Sequence, residues 1–445
     1  MGVVSGMKLR KFYALFMAVC WVQAAWADGM PRPLSDADFP KHSAAEVKLG
    51  QLLFYDPILS GNKNIACATC HHPSLATGDG VSLGIGEGGI GLGPKRRADP
   101  DNMPEQRIPR NAPPLFNLGA TEQTVLFHDG RIEVDTSRPS GLRTPMGTEM
   151  EQGFASLLSA QTMFPVLSAD EMAGHFTENN VARAVRQGVI TGPGGAWDII
   201  ANRVSAIPEY QSLFAAAYPD LDDIHFTDIS DAIAAFMTVE WRADQSAFDH
   251  HLRGEALLEG PAAQGMALFY DTAGCATCHA GPLLSDNAFH AMGQPQLGPG
   301  KAAKFERHQR DIGRMRVTGD TADAYAFRTP PLRNVTRTGP WGHSGAFSDL
   351  RRFLMHHADP KTGLHSYESD ANLPALETAK TDWAVMRSVE DRAAIESAVS
   401  VDGIRLDDTD LDALFAFLDS LSDPISLSGR LGIPQSVPSG LPIDQ

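Results

Sequence analysis

Two short stretches, Cys67-Ala68-Thr69-Cys70-His71 and Cys275-Ala276-Thr277-Cys278-His279, constrain this 445-residue chain more than anything else in it. Each is a C-x-x-C-H run. At that spacing one tight turn presents two thiols to the two vinyl groups of a haem, and the adjoining imidazole is aimed at the iron. A single run of this kind also suits a zinc or redox site. Two runs with the same Ala-Thr insert and a His after each point instead to two covalent c-type haems, with His71 and His279 as proximal ligands.

Residues 1–27 read as a secretory signal. Lys8, Arg10 and Lys11 form a basic start, Phe12 to Trp21 is apolar, and Ala25-Trp26-Ala27 has the small-x-small form of a cleavage site. The competing reading is an uncleaved anchor, but the apolar run is short of the ~18 residues a span needs, and no later stretch reaches that length. Of the five cysteines, Cys20 leaves with the signal and the other four all lie in the two haem runs. Export therefore serves haem attachment rather than disulfide formation, and the expected location is the periplasm. The signal carries three of the 37 basic residues and no acid, so the charge after cleavage is 34 − 54 = −20. Such a surface argues against nucleic acid and anionic membranes as partners and would steer a basic redox protein towards it.

Along the chain, Ser43 to Asp56 has helical spacing of apolar residues, with Ser43 as N-cap. Its end, Gly50-Gln51-Leu52-Leu53-Phe54-Tyr55-Asp56, returns as Gly265-Met266-Ala267-Leu268-Phe269-Tyr270-Asp271, and each copy leads into a haem run. Helix, loop and haem attachment thus occur twice. Gly78 to Gly93 holds eight glycines in 16 residues. Regular structure is excluded there, leaving either a flexible loop over the first haem or one whose backbone lies close to it. Helical patterns resume at Phe154–Gln161, Val181–Gln187 and Ile229–Val239. A strong amphipathic helix spans Asp410 to Leu421, with Thr409 as N-cap. The expected fold is all-α: two cytochrome c-like domains facing each other, each with one covalent haem and few or no strands. Their expected extents are 28–253 and 254–422, followed by an extended tail at 423–445.

Several motifs taken in order make the chain resemble the bacterial dihaem cytochrome c peroxidases and their relative MauG, which oxidatively matures a protein-derived quinone cofactor. They are Leu53-Phe54-Tyr55-Asp56, the first haem run, Arg110-Asn111-Ala112-Pro113, His128-Asp129-Gly130-Arg131 and Glu171-Met172. The second haem run follows, then Ser285-Asp286-Asn287-Ala288-Phe289-His290, Phe327 to Val335, and Gly339-Pro340-Trp341-Gly342-His343. The resemblance implies a peroxide-reactive N-terminal haem and a six-coordinate C-terminal haem that stores an electron. It implies Glu171 as the distal acid-base group, with Gln161 ten residues before it. An inter-domain calcium would be held by Asn111 and by the main chain at Thr338 and Pro340, and His343 would be a structural histidine.

The chain also departs from the family pattern. Family peroxidases often carry a His that blocks haem 1 on the loop after it, yet no His lies between His72 and His128; Met103 is the remote substitute. His72 itself is expected to be structural or to face a propionate. The sixth ligand of haem 2, a Met or Tyr in the family, aligns with His357, with His356 or Met355 as fallback. His128 stands where the family has a Trp that relays electrons, so Trp341 becomes the alternative relay. The implied activity is reduction of hydrogen peroxide by a small electron donor, a cytochrome c or cupredoxin. The alternative is MauG-like oxidation of Trp or Tyr side chains of a partner protein through a high-valent haem state. A plain electron carrier is the third reading. Family peroxidases are commonly homodimers.

Overall fold

The computed structural model describes residues 29–176, 178–301, 306 and 308–445. The expected signal peptide, with Cys20 and Ala27, lies outside the described residues. The fold is mostly helical, and the described strands are seven pieces of two or three residues. Its organising feature is a helix crossing that occurs twice.

In the first crossing, the Ala44–Tyr55 helix lies across the Phe226–Glu240 helix. Ser43 starts it as expected: its hydroxyl accepts the Glu46 N–H at 3.1 Å, and the Glu46 carboxylate accepts the Ser43 N–H at 2.7 Å, which satisfies two otherwise orphaned donors. The crossing point is Gly50, where a Cβ would collide with the Ala232 carbonyl. Phe54 then packs with Phe236 and Trp241 at ring separations of 5.4 and 4.9 Å. In the second crossing the Gly260–Tyr270 and Asp408–Asp419 helices meet at Gly265, where a Cβ would collide with the Ala413 carbonyl. Phe417 packs there against Phe269 and Phe248 at 5.1 and 5.2 Å. Each crossing sits in its own buried cluster. The duplication in sequence is therefore a duplication of one packing device: two backbones brought close by glycine, then sealed by aromatic rings.

Boundaries shift by a few residues from the sequence expectation. The last long helix begins at Asp408 and is capped by Asp407 rather than Thr409. The Asp407 carboxylate accepts the Asp410 N–H at 2.9 Å and Asp410 returns the contact at 3.1 Å, a reciprocal pair that leaves Thr409 inside the first turn. The tail opens with a short helix, Pro424–Ser428, before it extends. It then runs back over the first cluster: Gln51 donates to the Gly432 carbonyl at 2.7 Å, and the Ser439 hydroxyl donates to Asp56 at 2.6 Å. Thr69, inside the first haem run, donates to Asp444 at 2.6 Å.

The short strands position the middle of the chain. Val125–Leu126, Ile132–Val134 and Leu142–Arg143 form an antiparallel sheet. Phe289–His290 pairs with Phe327–Arg328, and the Arg328 N–H donates to the His128 carbonyl at 2.8 Å. No helix among the described residues is long and apolar enough to cross a membrane.

Gly50→Ala and Gly265→Ala each force apart two backbones that have no flexible side chain to yield. Each should cost about 3 kcal/mol, the upper part of the usual overpacking range. Thermal unfolding of the two variants checks this; an unchanged midpoint in both would show that the crossings relax freely.

Candidate functional site

Cys67–Cys70 is a single helical turn and Cys275–Thr277 a single 3-10 turn, so each motif presents its two thiols from one turn. All four thiols are unpaired. Burial pushes those of Cys67 and Cys70 up to about 12 and that of Cys275 up to about 11. The imidazoles complete the picture. His71 Nδ1 lies 2.9 Å from the Thr77 carbonyl and His279 Nδ1 lies 3.0 Å from the Leu284 carbonyl. A carbonyl only accepts, so each Nδ1 carries the proton and each Nε2 keeps its lone pair for a metal. The residues present fit a covalently attached haem at both motifs.

On the Leu350–Ala358 helix the three candidates near haem 2 separate cleanly. Met355 is 55% exposed. His356 is buried with Nε2 on the Met292 carbonyl at 2.9 Å, and its ring packs so closely on Gly363 that no Cβ fits there. His357 donates Nδ1–H to the Phe353 carbonyl at 2.9 Å, leaving Nε2 uncommitted. It also lies near His279: burial lowers the His279 imidazole to about 4, the Leu284 carbonyl opposes this, and charge on His357 adds to the lowering.

Glu171 sits on a five-residue π turn, Ala169–Ala173. The glycine-rich segment is packed against that turn, and residues 81–88 are buried. The Glu87 N–H donates to the Asp170 carbonyl at 3.0 Å, and a Cβ on Gly86 would collide with that same carbonyl. Arg96 clamps the loop from behind, donating to the carbonyls of Ile85, Gly86 and Gly91 at 2.5 to 2.7 Å. The close backbone approach observed here is to the Glu171 turn, a partner that neither reading of the glycines named. Burial raises the Glu171 carboxyl above its ordinary range, while Lys301 and Arg131 pull it back. Lys301 in turn is lowered by burial to about 8. Gln161 ends the Leu157–Thr162 helix, joined to the Glu171 turn by the short Pro165–Leu167 turn; it is half-buried, and its side chain makes no hydrogen bond to the described residues. His72 turns to Ser74, with Nδ1 2.6 Å from its hydroxyl, and Met103 is exposed.

Arg110 is the centre of a buried ionic knot. Arg110 contacts Asp129 at 2.8 Å and Asp311 at 2.7 and 2.9 Å. Burial alone would raise both carboxyls; Arg110 outweighs it and holds both well below the usual range. Arg131 joins Asp129 at 3.1 Å and lies over the Phe127 ring at 3.5 Å. Arg314 donates to the Gly130 carbonyl at 2.8 Å. His128 is driven well below its ordinary value by burial and then by Arg110, His343 and Arg328, so it is a neutral imidazole. His343 stacks on Phe327 at 3.8 Å, with Nδ1 3.0 Å from the Gln294 amide oxygen. Asn111 donates its amide to the carbonyls of Val81 and Ser82 at 2.9 and 3.2 Å, and no hydrogen bond joins it to Thr338 or Pro340. Trp341 donates its indole N–H to the Val335 carbonyl at 2.9 Å. Lys301, Asp311 and Arg96 were not among the residues singled out in sequence; Lys301 and Asp311 act on partners far from them in the chain, while Arg96 holds carbonyls of the loop just before it, where no local pattern marks it.

A sequence model of the family described as di-haem cytochrome c peroxidase matches residues 44–257. The methylamine utilization protein MauG of Methylorubrum extorquens is 28% identical over 333 residues, covering 74% of this chain and 72% of that protein. The cytochrome c551 peroxidase of Pseudomonas aeruginosa is 28% identical over 311 residues, covering 69% and 70%. The crystal structure of the diheme peroxidase BthA from Burkholderia thailandensis shares the fold, with a TM-score of 0.57 at 18% identity over 94% of this chain and 97% of that one.

Two outcomes follow from this geometry. Arg110→Met leaves Asp311 buried without a counter-ion and Asp129 with Arg131 alone, and should cost about 3–5 kcal/mol, measured by thermal or denaturant unfolding; a loss below 1 kcal/mol would reduce the knot to an ordinary surface pair. Lys301→Met removes a positive charge that lowers Glu171. The pH below which peroxide turnover falls should therefore move upward, and an unmoved acid limb would detach Lys301 from Glu171.

Proposed function

Because the chain belongs to the dihaem cytochrome c peroxidase and MauG family, we propose that it is a periplasmic peroxidase reducing hydrogen peroxide to two waters with two electrons and two protons. The electrons come from a small cytochrome c or cupredoxin. Cys67, Cys70 and His71 hold one haem in the N-terminal unit of residues 28–253. Cys275, Cys278, His279 and His357 hold the other in the unit of residues 254–422. When bound, the first haem supplies an open iron position at which peroxide is activated, and the second supplies a stored electron.

The protein's part is to move protons and exclude alternatives. Glu171, deprotonated, takes the proton from the inner peroxide oxygen and returns it to the outer one, so that the O–O bond breaks with water as the leaving group. Burial keeps its proton affinity higher than that of a solvated carboxylate, which suits it to both halves of that transfer, while Lys301 and Arg131 offset part of that rise. The glycine-rich loop, clamped by Arg96, fixes the turn that carries it. Gln161 is assigned the task of orienting peroxide. Asn111 and the main chain at Thr338 and Pro340 are assigned an inter-domain calcium, and the active assembly a homodimer. The observation that carries the proposal is this partly buried carboxylate on a turn braced by the loop that follows the first haem run.

The MauG-like alternative, oxidation of Trp or Tyr side chains of a partner protein, is favoured by one specific feature: no His lies between His72 and His128 to block the first iron. Glu171→Gln tests the shared mechanism. Haem content and fold should be retained while peroxide turnover falls by about 10²- to 10⁴-fold; retained turnover would remove Glu171 from the reaction. His357→Ala should convert the second haem from low-spin to high-spin by EPR, and an unchanged low-spin signal would give that position to another residue.

A further inference from the structure

Behind the Glu171 turn lies a polar cluster that the reaction does not use. Glu87 is 2% exposed and has no Lys or Arg partner among the described residues, unlike Asp129 and Asp311. Its Oε1 receives three asparagine amides, from Asn62 at 3.0 Å, Asn64 at 2.9 Å and Asn102 at 3.0 Å. Its Oε2 is buried and has no hydrogen-bond partner at all. A second carboxylate is close by: the Asn62 amide that donates to Glu87 also donates to Glu178 Oε2 at 2.5 Å.

Crowding three donors on one carboxylate oxygen while the other is bare is an unfavourable way to bury a negative charge. The orientation of Asn62 is fixed, because its amide oxygen accepts from Asn179 at 2.8 Å and Asn179 is itself the N-cap of the Asn180–Gln187 helix. Nothing comparable fixes Asn102. Asn64 has only a 3.4 Å contact from the Ser60 hydroxyl, which has the Pro57 carbonyl as another acceptor. Turning the Asn64 and Asn102 amides end for end would place two carbonyl oxygens where two N–H groups now stand. Glu87 would then offer both oxygens, with Glu178 alongside and the outer side open to water, since Asn64 and Glu178 are exposed.

We propose that this cluster is a calcium site, with Glu87, Asn64 and Asn102 as direct ligands and Glu178 as a direct or water-bridged one. The donors are all oxygen and include two carboxylates whose charge a single divalent ion balances, and the waters available on the open side bring the count into the six to eight that calcium takes. The site is separate from the inter-domain one assigned to Asn111, Thr338 and Pro340. Its location gives it a purpose. The Glu87 N–H holds the Asp170 carbonyl, the Asn179 amide donates to the Ala173 carbonyl at 2.9 Å, and the Gly61 N–H donates to the Met172 carbonyl at 2.8 Å. The ion would therefore pin the segment that carries Glu171 without touching it.

The test is calorimetric titration of calcium chloride into chelator-stripped holoprotein, with magnesium chloride as comparator, for wild type, Glu87→Gln, Glu178→Gln and Asn111→Ala. Binding does not depend on the peroxidase reading, so the two fail separately. Besides the calcium at the inter-domain site, one calcium should bind wild type at the Glu87 cluster more tightly than magnesium, persist in Asn111→Ala, and weaken by about 10- to 100-fold or vanish in both glutamate variants. The surface position of Glu178 keeps the test decisive if Glu87→Gln does not fold. The proposal is overturned if Glu178→Gln binds calcium like wild type, if Asn111→Ala abolishes all calcium binding, or if wild type binds none below millimolar concentration.

Discussion

The structure depends on one buried guanidinium. Arg110 reaches both Asp129 and Asp311, which lie on either side of the second C-x-x-C-H run in the chain, and all three are buried. Burying three charges is costly unless every lone pair and donor is used, and here most are. The Asp311 carboxylate also accepts the Gly313 N–H at 3.1 Å, and Asp129 also takes Arg131. The consequence is geometric. The segment 127–131 cannot shift without breaking an ion pair, and that segment carries His128 between the two haem runs. Arg328 and Arg314, far along the chain, grip it through its carbonyls. The knot thus ties positions 110, 129 and 311, distant in the chain, into one joint.

Around that joint one arrangement occurs twice. A glycine-centred helix crossing leads into each C-x-x-C-H run, and the imidazole that ends each run is locked by a carbonyl a few residues downstream. The two copies differ in what accompanies them. His357 is an imidazole held by a carbonyl of its own helix, and Glu171 is a carboxylate on a π turn braced by glycines. In the function proposed above, His357 closes the coordination of the second haem and Glu171 moves protons at the first.

What was legible in the sequence was whatever depends on local spacing: both haem runs, the Ser43 cap and the repeated Gly-x-x-x-Phe-Tyr-Asp segment. The glycine-rich stretch was half legible. Its composition excluded regular structure, but flexibility and close approach both call for glycine, and only the neighbouring turn decides between them. Asp407 displaced Thr409 as a cap because a carboxylate two positions earlier could pair reciprocally with Asp410. Lys301 beside Glu171, Asp311 on Arg110 and the return of the tail to Thr69 were not legible. Each joins positions distant in the chain, and the residue types involved are ordinary on any surface.

The most direct test of the account is to add hydrogen peroxide to the fully oxidised protein and follow absorbance by stopped flow with freeze-quenched EPR. The account predicts fast loss of a high-spin ferric signal without prior reduction, because no histidine stands between His72 and His128 to occupy the first iron. Absence of reaction until one haem is reduced would contradict it and would mean that another residue closes that position at rest.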